Sequence, residues 1–339
     1  MRRRLLVFAA AAGLLAALQP PGAGAASSCD ISGVERVVAI GDIHGAYDRL
    51  TEILRATGLV DAELQWTGGK THLVQLGDVV DRGPDSRKAL DLLPRLAGQA
   101  VRAGGRVHQL LGNHEVMRML GDMRYVTPGE YQAFATADSE SLRERFLNTA
   151  KADLRADLRG RTPFGWVEMR LAFGRDGAYG KRLQALDTVV KIGGVVFVHG
   201  GISPSVATLS CTAINETVRR EMTTDFEKTA SDPLRSLSAR EDGPLWYRGL
   251  ALEPESFTPE LDQILAKQGA HTIVVAHTVT PTWRIAARFG GRVVQLDTGM
   301  QPAYVTGGRA SALEYKGGVF TAIYLDSQEP LGNPPQSQP

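Results

Sequence analysis

An α/β (α+β) fold is predicted by three features of the sequence. Between residues 37 and 115, short apolar β-like runs alternate with amphipathic helix-like stretches. Most of these runs stop on a glycine followed by an acid, an amide or a histidine. From Val189 onward the apolar runs return, the last of them short and joined by glycine-rich turns. Strand–loop–helix alternation implies right-handed crossovers and a sheet covered by helices. Ligands then belong at the carboxyl ends of the strands, where the polar loops fall.

The elements follow in order. Met1–Arg4 carries three arginines, Leu5–Leu18 is an uncharged, largely apolar run, and Ala23-Gly24-Ala25 offers an A-x-A cleavage site. Residues 1–25 therefore read as a secretory signal peptide, with an uncleaved anchor as the competing reading. The run is shorter than the roughly 20 residues that span a bilayer. Cleavage takes the net charge from +1 to −2, because all three arginines leave with the leader. The expected mature protein is soluble, periplasmic or secreted, with no stable membrane insertion and no basic field for nucleic acid. Cys29 and Cys211 are the only cysteines, and an oxidising compartment permits one disulfide between them. Sequence does not establish that their Cα atoms come within bonding reach.

Residues 26–325 form the expected globular domain. Val37–Ile40 is its first strand, and the Leu50, Ile53, Leu54 stripe marks a helix ended by Gly58. Thr71–Leu76 is a second strand, followed by "GDVVDRGP", in which Pro84 can open the next helix. Arg106–Leu111 is a third strand, running into "GNHE". Residues 116–188 read as a mostly helical insertion that overhangs the site. Then come "VVFVHGGIS", "TIVVAHTVT", "GRVVQLDTGM", "AYVTG", "SALEY" and "GVFTAIYLD", the last few suggesting hairpins of a second sheet. The proline-rich stretch from Asp326 to Pro339 reads as a disordered tail.

Chemistry concentrates in the loops. In "VVAIGDIHGAYDRL" the acid and imidazole are two residues apart, so a β-conformation points Asp42 and His44 to one side. Alone, that pair could equally be a turn aspartate capping the next helix. But "GDIHG" is followed by "GDVVDRG", "GNHE", "VHGG" and "AHT", each after an apolar run. Together they supply Asp42, His44, Asp78, Asp81, Asn113, His114, His199 and His277. Turn chemistry explains five such loops poorly. Carboxylate and amide oxygens mixed with imidazoles suit manganese, iron or zinc better than calcium or copper. With a carboxylate able to bridge, the pattern suits a hydrolase with two ions about 3.5–4 Å apart.

The motif series resembles the phosphoprotein phosphatase branch of the calcineurin-like metallophosphoesterases. "LVQLGDVVDRGPDSRKALDLL", "GGRVHQLLGNHEVMRMLGDMRYVTPGEY" and "PLWYRG" are most similar to the Shewanella-like protein phosphatases. The resemblance covers about residues 35–325 and implies a four-layer αββα sandwich with the helical insertion. It implies one metal held by Asp42, His44 and Asp78. The second would be held by Asp78, Asn113, His199 and His277, with Asp78 bridging. His114 would be the general acid, oriented by Asp81, while a metal-bridging hydroxide attacks phosphorus. Arg82 would clamp phosphate oxygens through its planar fork, beside Asn113, and Arg248 reads as the second clamp, with a surface arginine as its competing reading.

The last histidine site, Ala276-His277-Thr278-Val279, lacks the Gly-His-x-His of related phosphodiesterases, which favours the phosphatase and dinucleotide-hydrolase branch. Leu111 stands where an arginine often precedes Gly-Asn-His-Glu in serine/threonine enzymes, and "LDTGM" replaces their usual C-terminal loop. The Shewanella-like signature implies tyrosine preference as a possibility. The expectation is therefore an exported two-metal phosphomonoesterase acting on a phosphoprotein or phosphopeptide, with tyrosine against serine/threonine open. A hydrolase of dinucleoside polyphosphates or other small phosphoesters is the enzymatic alternative. A metal- or phosphate-binding protein without turnover is the other. His72 and His108 read as packed or edge histidines, His271 as a strand-start residue, and Trp246 and Tyr247 as pocket walls.

Overall fold

The computed structural model describes residues 29–332; residues 1–28, with the expected leader, and 333–339, with the end of the expected tail, fall outside them. In chain order the strands are β1 (Asp30–Ile31), β2 (Arg36–Ile40), β3 (His72–Gln75), β4 (Arg106–Gln109), β5 (Val189–Ile192) and β6 (Val195–Val198). They continue with β7 (Thr272–Val275), β8 (Ala286–Arg288), β9 (Val293–Gln295), β10 (Ser311–Lys316), β11 (Val319–Tyr324) and β12 (Gln328–Gly332). Two six-stranded sheets result, ordered β12-β11-β10-β2-β3-β4 and β1-β5-β6-β7-β9-β8. The strands β2, β3 and β4 are mutually parallel, as are β6, β7 and β9.

Period-2 side-chain alternation explains the layering. Val37 and Ala39 of β2, and Val195 and Phe197 of β6, share one buried cluster between the sheets. Val38, Ile40, Val196 and Val198, one residue out of phase, belong to the core beneath the helices. Strands apolar on both faces are what a sheet covered on both sides requires. The four-layer sandwich expected from the resemblance is the architecture found.

Helices α1 (Tyr47–Ala56) and α2 (Ser86–Arg102) cross over between β2, β3 and β4. The predicted stripe holds, since α1 buries Leu50, Ile53 and Leu54. Pro84 does not open α2, which starts two residues later. After β4 the chain is helical: α3 (Asn113–Leu120), α4 (Pro128–Phe134), α5 (Ser139–Asn148), α6 (Arg155–Arg161), α7 (Trp166–Phe173) and α8 (Ala178–Gln184). The remaining helices are α9 (Cys211–Met222), α10 (Phe226–Ser231), α11 (Gly249–Leu252) and α12 (Thr258–Gln268). Among the described residues no helix is long and apolar enough to cross a membrane.

Three expectations are corrected. The late hairpin β10–β11 does not found a second sheet; β10 pairs antiparallel with β2 and extends the first one. "AYVTG" is not a strand but part of a loop of turns between β9 and β10. Residues 328–332, read as the start of a disordered tail, pair with β11 as an edge strand. Pro330 is tolerated there because an edge position leaves one side of the strand unpaired.

Cys29 and Cys211 are bridged, with Cα atoms 6.1 Å apart, tying the chain before β1 to the start of α9. The bridge spans 182 residues. In the chain-entropy account such a loop contributes about 5 kcal/mol by constraining the unfolded state.

Candidate active site

The cleft lies where loops leave the carboxyl ends of parallel strands from both sheets. After β2 come Asp42 and His44, after β3 Asp78, Asp81 and Arg82, and after β4 Asn113 and His114. The other sheet supplies His199 after β6, His277 after β7, and Asp297 after β9. All eight acidic, amide and imidazole residues predicted for the site are buried together here. The turns are tight: His44, Asp78, Asp81, Arg82 and His277 adopt left-handed φ of 48°, 53°, 72°, 69° and 64°. Gly112 has to be glycine, because a Cβ there would collide with the Asp78 carboxylate.

Glu115 locks two of these loops together. Its Oε2 accepts from the backbone N–H of Asp78 and Gly112, both at 2.8 Å, and its Oε1 from Val79 at 2.8 Å. The imidazoles are also aimed. His44 Nδ1 lies 2.9 Å from the Val80 carbonyl and His199 Nδ1 lies 2.8 Å from that of Leu76. Each ring donates its Nδ1–H to the backbone carbonyl, which leaves Nε2 free to act as a ligand. His44 Nε2 is 3.7 Å from both Asp42 Oδ2 and Asp78 Oδ2, and His199 Nε2 is 3.3 Å from Asp78 Oδ2. Asn113 Oδ1 and His277 Nδ1 converge on the same His199 nitrogen at 2.9 and 3.1 Å.

The charge states match metal ligation. Burial lowers the pKa of His44 to about 4, and burial with the His199 ring beside it depresses that of His277 further, so both are neutral. Burial opposes ionisation of Asp78 too, but His199, His114 and His44 hold its pKa well below the usual range. Burial pushes Asp42 up, helped by repulsion from Asp297 and Asp78, and burial pushes Asp297 up as well. Three carboxylates crowded in a low-dielectric cleft call for added positive charge. His277 Nε2 is buried without a partner. Asp78, His199 and His277, and separately His44, Asp78 and His114, bring ligand atoms within 4.8 Å of one another. These residues fit two ions sharing Asp78.

His114 differs from the other imidazoles. Its Nδ1 sits 2.6 Å from Asp81 Oδ2, its backbone N–H donates to Asp78 Oδ1 at 3.0 Å, and its Nε2 is 3.8 Å from Asp78 Oδ2. Burial disfavours the imidazolium, yet Asp78 and Asp81 outweigh it and hold the pKa above its ordinary value. Behind Asp81 stands a group that the loop motifs do not reveal. Arg118 of α3 donates to Asp81 Oδ1 and, at 3.0 Å, to Glu130 Oε1 of α4. Glu130 also accepts from the Asp81 N–H at 3.1 Å and from Ser86 at 2.5 Å. Its only sequence signal is the Thr127-x-x-Glu130 capping box before α4. Arg118→Met would strand two buried carboxylates. Urea unfolding is expected to show a loss of about 3–5 kcal/mol. A change within about 0.5 kcal/mol, the range of ordinary surface substitutions, would overturn that account.

Arg82 lies between two rings, its guanidinium carbon 3.8 Å from the Tyr125 centroid and 4.2 Å from that of Tyr304. Its Nε is buried without a partner. Arg248 is anchored across the cleft, its Nη1 donating to the His277 carbonyl at 2.7 Å and to Thr278 Oγ1 at 2.9 Å. Both arginines line the cavity, of about 80 Å³, with Trp246 and the two tyrosines. Tyr247 packs against Gly201 instead. Tyr125, Tyr304 and Asp297 are not singled out by the sequence motifs, although Asp297 obeys the same rule of an apolar run ending on an acid. His72 and His108 pair with each other at 3.0 Å on β3 and β4, and His271 bonds Thr272 and the Gly193 carbonyl at the start of β7, as structural histidines.

Comparison with known proteins agrees with this geometry. The sequence profile of the calcineurin-like phosphoesterases matches residues 35–281, and the chain belongs to that family. A Plasmodium berghei protein named Shewanella-like protein phosphatase 1 is 31% identical over 78% of this chain and 67% of its own. Shewanella-like protein phosphatase 2 of Arabidopsis thaliana is 38% identical over 55% of this chain and 51% of its own. The cold-active protein-tyrosine phosphatase of a psychrophilic Shewanella species superposes with a TM-score of 0.70 and 29% identity, over 89% of this chain and 82% of that one. Fold, family and ligand set make this chain a metal-dependent phosphatase.

Proposed function

We propose that the protein is an exported phosphomonoesterase that removes phosphate from phosphoproteins or phosphopeptides. The observation that carries this is the Asp81–His114 pair at 2.6 Å beside the ligand cluster. Asp42, His44 and Asp78 would hold one ion, and Asp78, Asn113, His199 and His277 the other; manganese, iron and zinc suit this donor set. When bound, the ions supply Lewis acidity to the phosphoryl oxygens and acidify water. The chain does the rest. Arg82 and Arg248 bind and orient phosphoryl oxygens. His114, charged and held by Asp81, gives its proton to the departing oxygen, an effect worth about 10²–10⁴ in rate. Relatives named as protein phosphatases, one of them a tyrosine phosphatase, support the substrate class.

The purified protein, with its metals quantified, should be assayed side by side on phosphotyrosine peptide, phosphoserine peptide and diadenosine tetraphosphate. A phosphopeptide should be turned over with the highest kcat/KM. Preference for the dinucleotide would replace this reading with that of a small-phosphoester hydrolase. Export is supported by the arginine, apolar and A-x-A segments and by the disulfide, which suits an oxidising compartment. Intact-mass analysis of the exported protein should find a chain beginning near Ala26 and two hydrogens lighter than its reduced form. Membrane-bound protein with residues 1–25 attached would refute export.

A further inference from the structure

The catalytic cavity, of about 80 Å³, is far smaller than ordinary ligand sites of about 300–1,000 Å³. It accommodates the reacting group, so the chain bearing the phosphate has to lie elsewhere. A second cleft, of about 840 Å³, adjoins it and is used by nothing described so far. The loop between Gly299 and Arg309 partitions the two. Tyr304 lines the catalytic side, while Gln301 and Pro302 line the other.

The floor of this second cleft is the outer side of the catalytic loops. Gly45 follows His44, and Pro84 and Asp85 follow the Arg82 turn. That floor is tightly built. Gln301 Nε2 donates to the His44 carbonyl at 3.1 Å, a Cβ on Gly45 would come within 2.6 Å of the Gly83 carbonyl, and one on Gly83 would collide with Gln301. Arg49 Nη1 closes one wall by donating to the Gly308 carbonyl at 2.7 Å.

Charge says what would lie there. The lining holds the acids Asp48, Glu52, Asp85 and Asp326 against the bases Arg49 and Arg309. Arg309 is paired with Asp326 at 2.5 Å and Asp85 with Lys88 at 2.8 Å. Asp48 and Glu52 are exposed, and neither closes an ion pair among the described residues, although the Lys88 ammonium held by Asp85 also feels the Asp48 carboxylate. They stand one turn apart on α1, a spacing at which like charges repel. A cation between them relieves that repulsion.

We propose that this cleft binds the polypeptide flanking the phosphorylated residue and selects lysine or arginine there. The inference rests on the protein phosphatase reading. Fluorescein-labelled phosphopeptides differing only in basic, neutral or acidic flanks should be compared by anisotropy and by phosphate release. The intact protein and an Asp48→Asn/Glu52→Gln variant serve as the two hosts, with p-nitrophenyl phosphate as a control.

The wild type should favour basic over acidic flanks by about tenfold in affinity at low salt, fading as salt screens the charges. The variant should lose most of that preference while its kcat/KM on p-nitrophenyl phosphate stays within twofold. No preference in the wild type, or a preference that survives in the variant, would overturn the cleft assignment and leave the phosphatase reading intact. If every phosphopeptide is bound according to its flank but none is hydrolysed, the cleft stands and the substrate reading falls.

Discussion

Asp78→Asn is expected to cost the protein its metals and essentially all of its turnover. The side chain lies within reach of His44, His114 and His199, and both candidate ligand groups include it. Asparagine keeps the shape and still offers an oxygen to the His114 N–H, so folding should survive. In the proposed arrangement it removes the one negative charge that would serve both ions. The loss should exceed the roughly 10–100-fold typical of removing a residue that only supports a ligand, and should be larger than for Asp42→Asn or for Asn113→Ala. Metal content and thermal unfolding measured on the same preparations separate a lost ion from a lost fold. Two metals per chain with near wild-type turnover would refute the bridging role.

His114→Asn is expected to leave metal content unchanged while turnover falls by an amount that depends on the leaving group. The loss should be about 10²–10⁴ for a serine phosphoester, whose alkoxide cannot depart without a proton. It should be distinctly smaller for p-nitrophenyl phosphate, whose oxyanion is stable. Asp81→Asn should show the same trend more weakly, because Asp81 acts only through the imidazole it holds. Equal losses on both substrates, or departure of an ion, would make His114 a ligand or a ground-state clamp. That alternative is concrete, since His114 also falls within one of the two groups able to gather an ion.

Much of this site is legible in the amino-acid sequence, and for a simple reason. Asp42, His44, Asp78, Asn113, His199 and His277 each follow a short apolar run, and parallel strands deliver their carboxyl ends to one rim. The layering is legible too, because Val37 and Val38 are apolar on consecutive positions. Sheet membership is not. The pairing of β10 with β2 is decided by packing between segments far apart in sequence, and a glycine-punctuated run such as "AYVTG" carries no mark that it forms a loop. The buried support behind Asp81 is hidden because Arg118 and Glu130 fall within the stretch read as a helical insertion, where no spacing ties them to Asp81. Only their convergence on one carboxylate reveals them.

The left-handed turns have a consequence for how this protein can change. Five residues at the cleft hold backbone conformations disfavoured for any side chain, on the order of 1 kcal/mol or more each. Glycine would relax every one of them and delete a side chain proposed as a ligand, an acid-orienting group or an anion clamp in doing so. Stability and activity therefore compete at the same positions. Selection for heat resistance alone would drift toward a sturdier, inert sandwich, and the cleft persists only while turnover is selected alongside it.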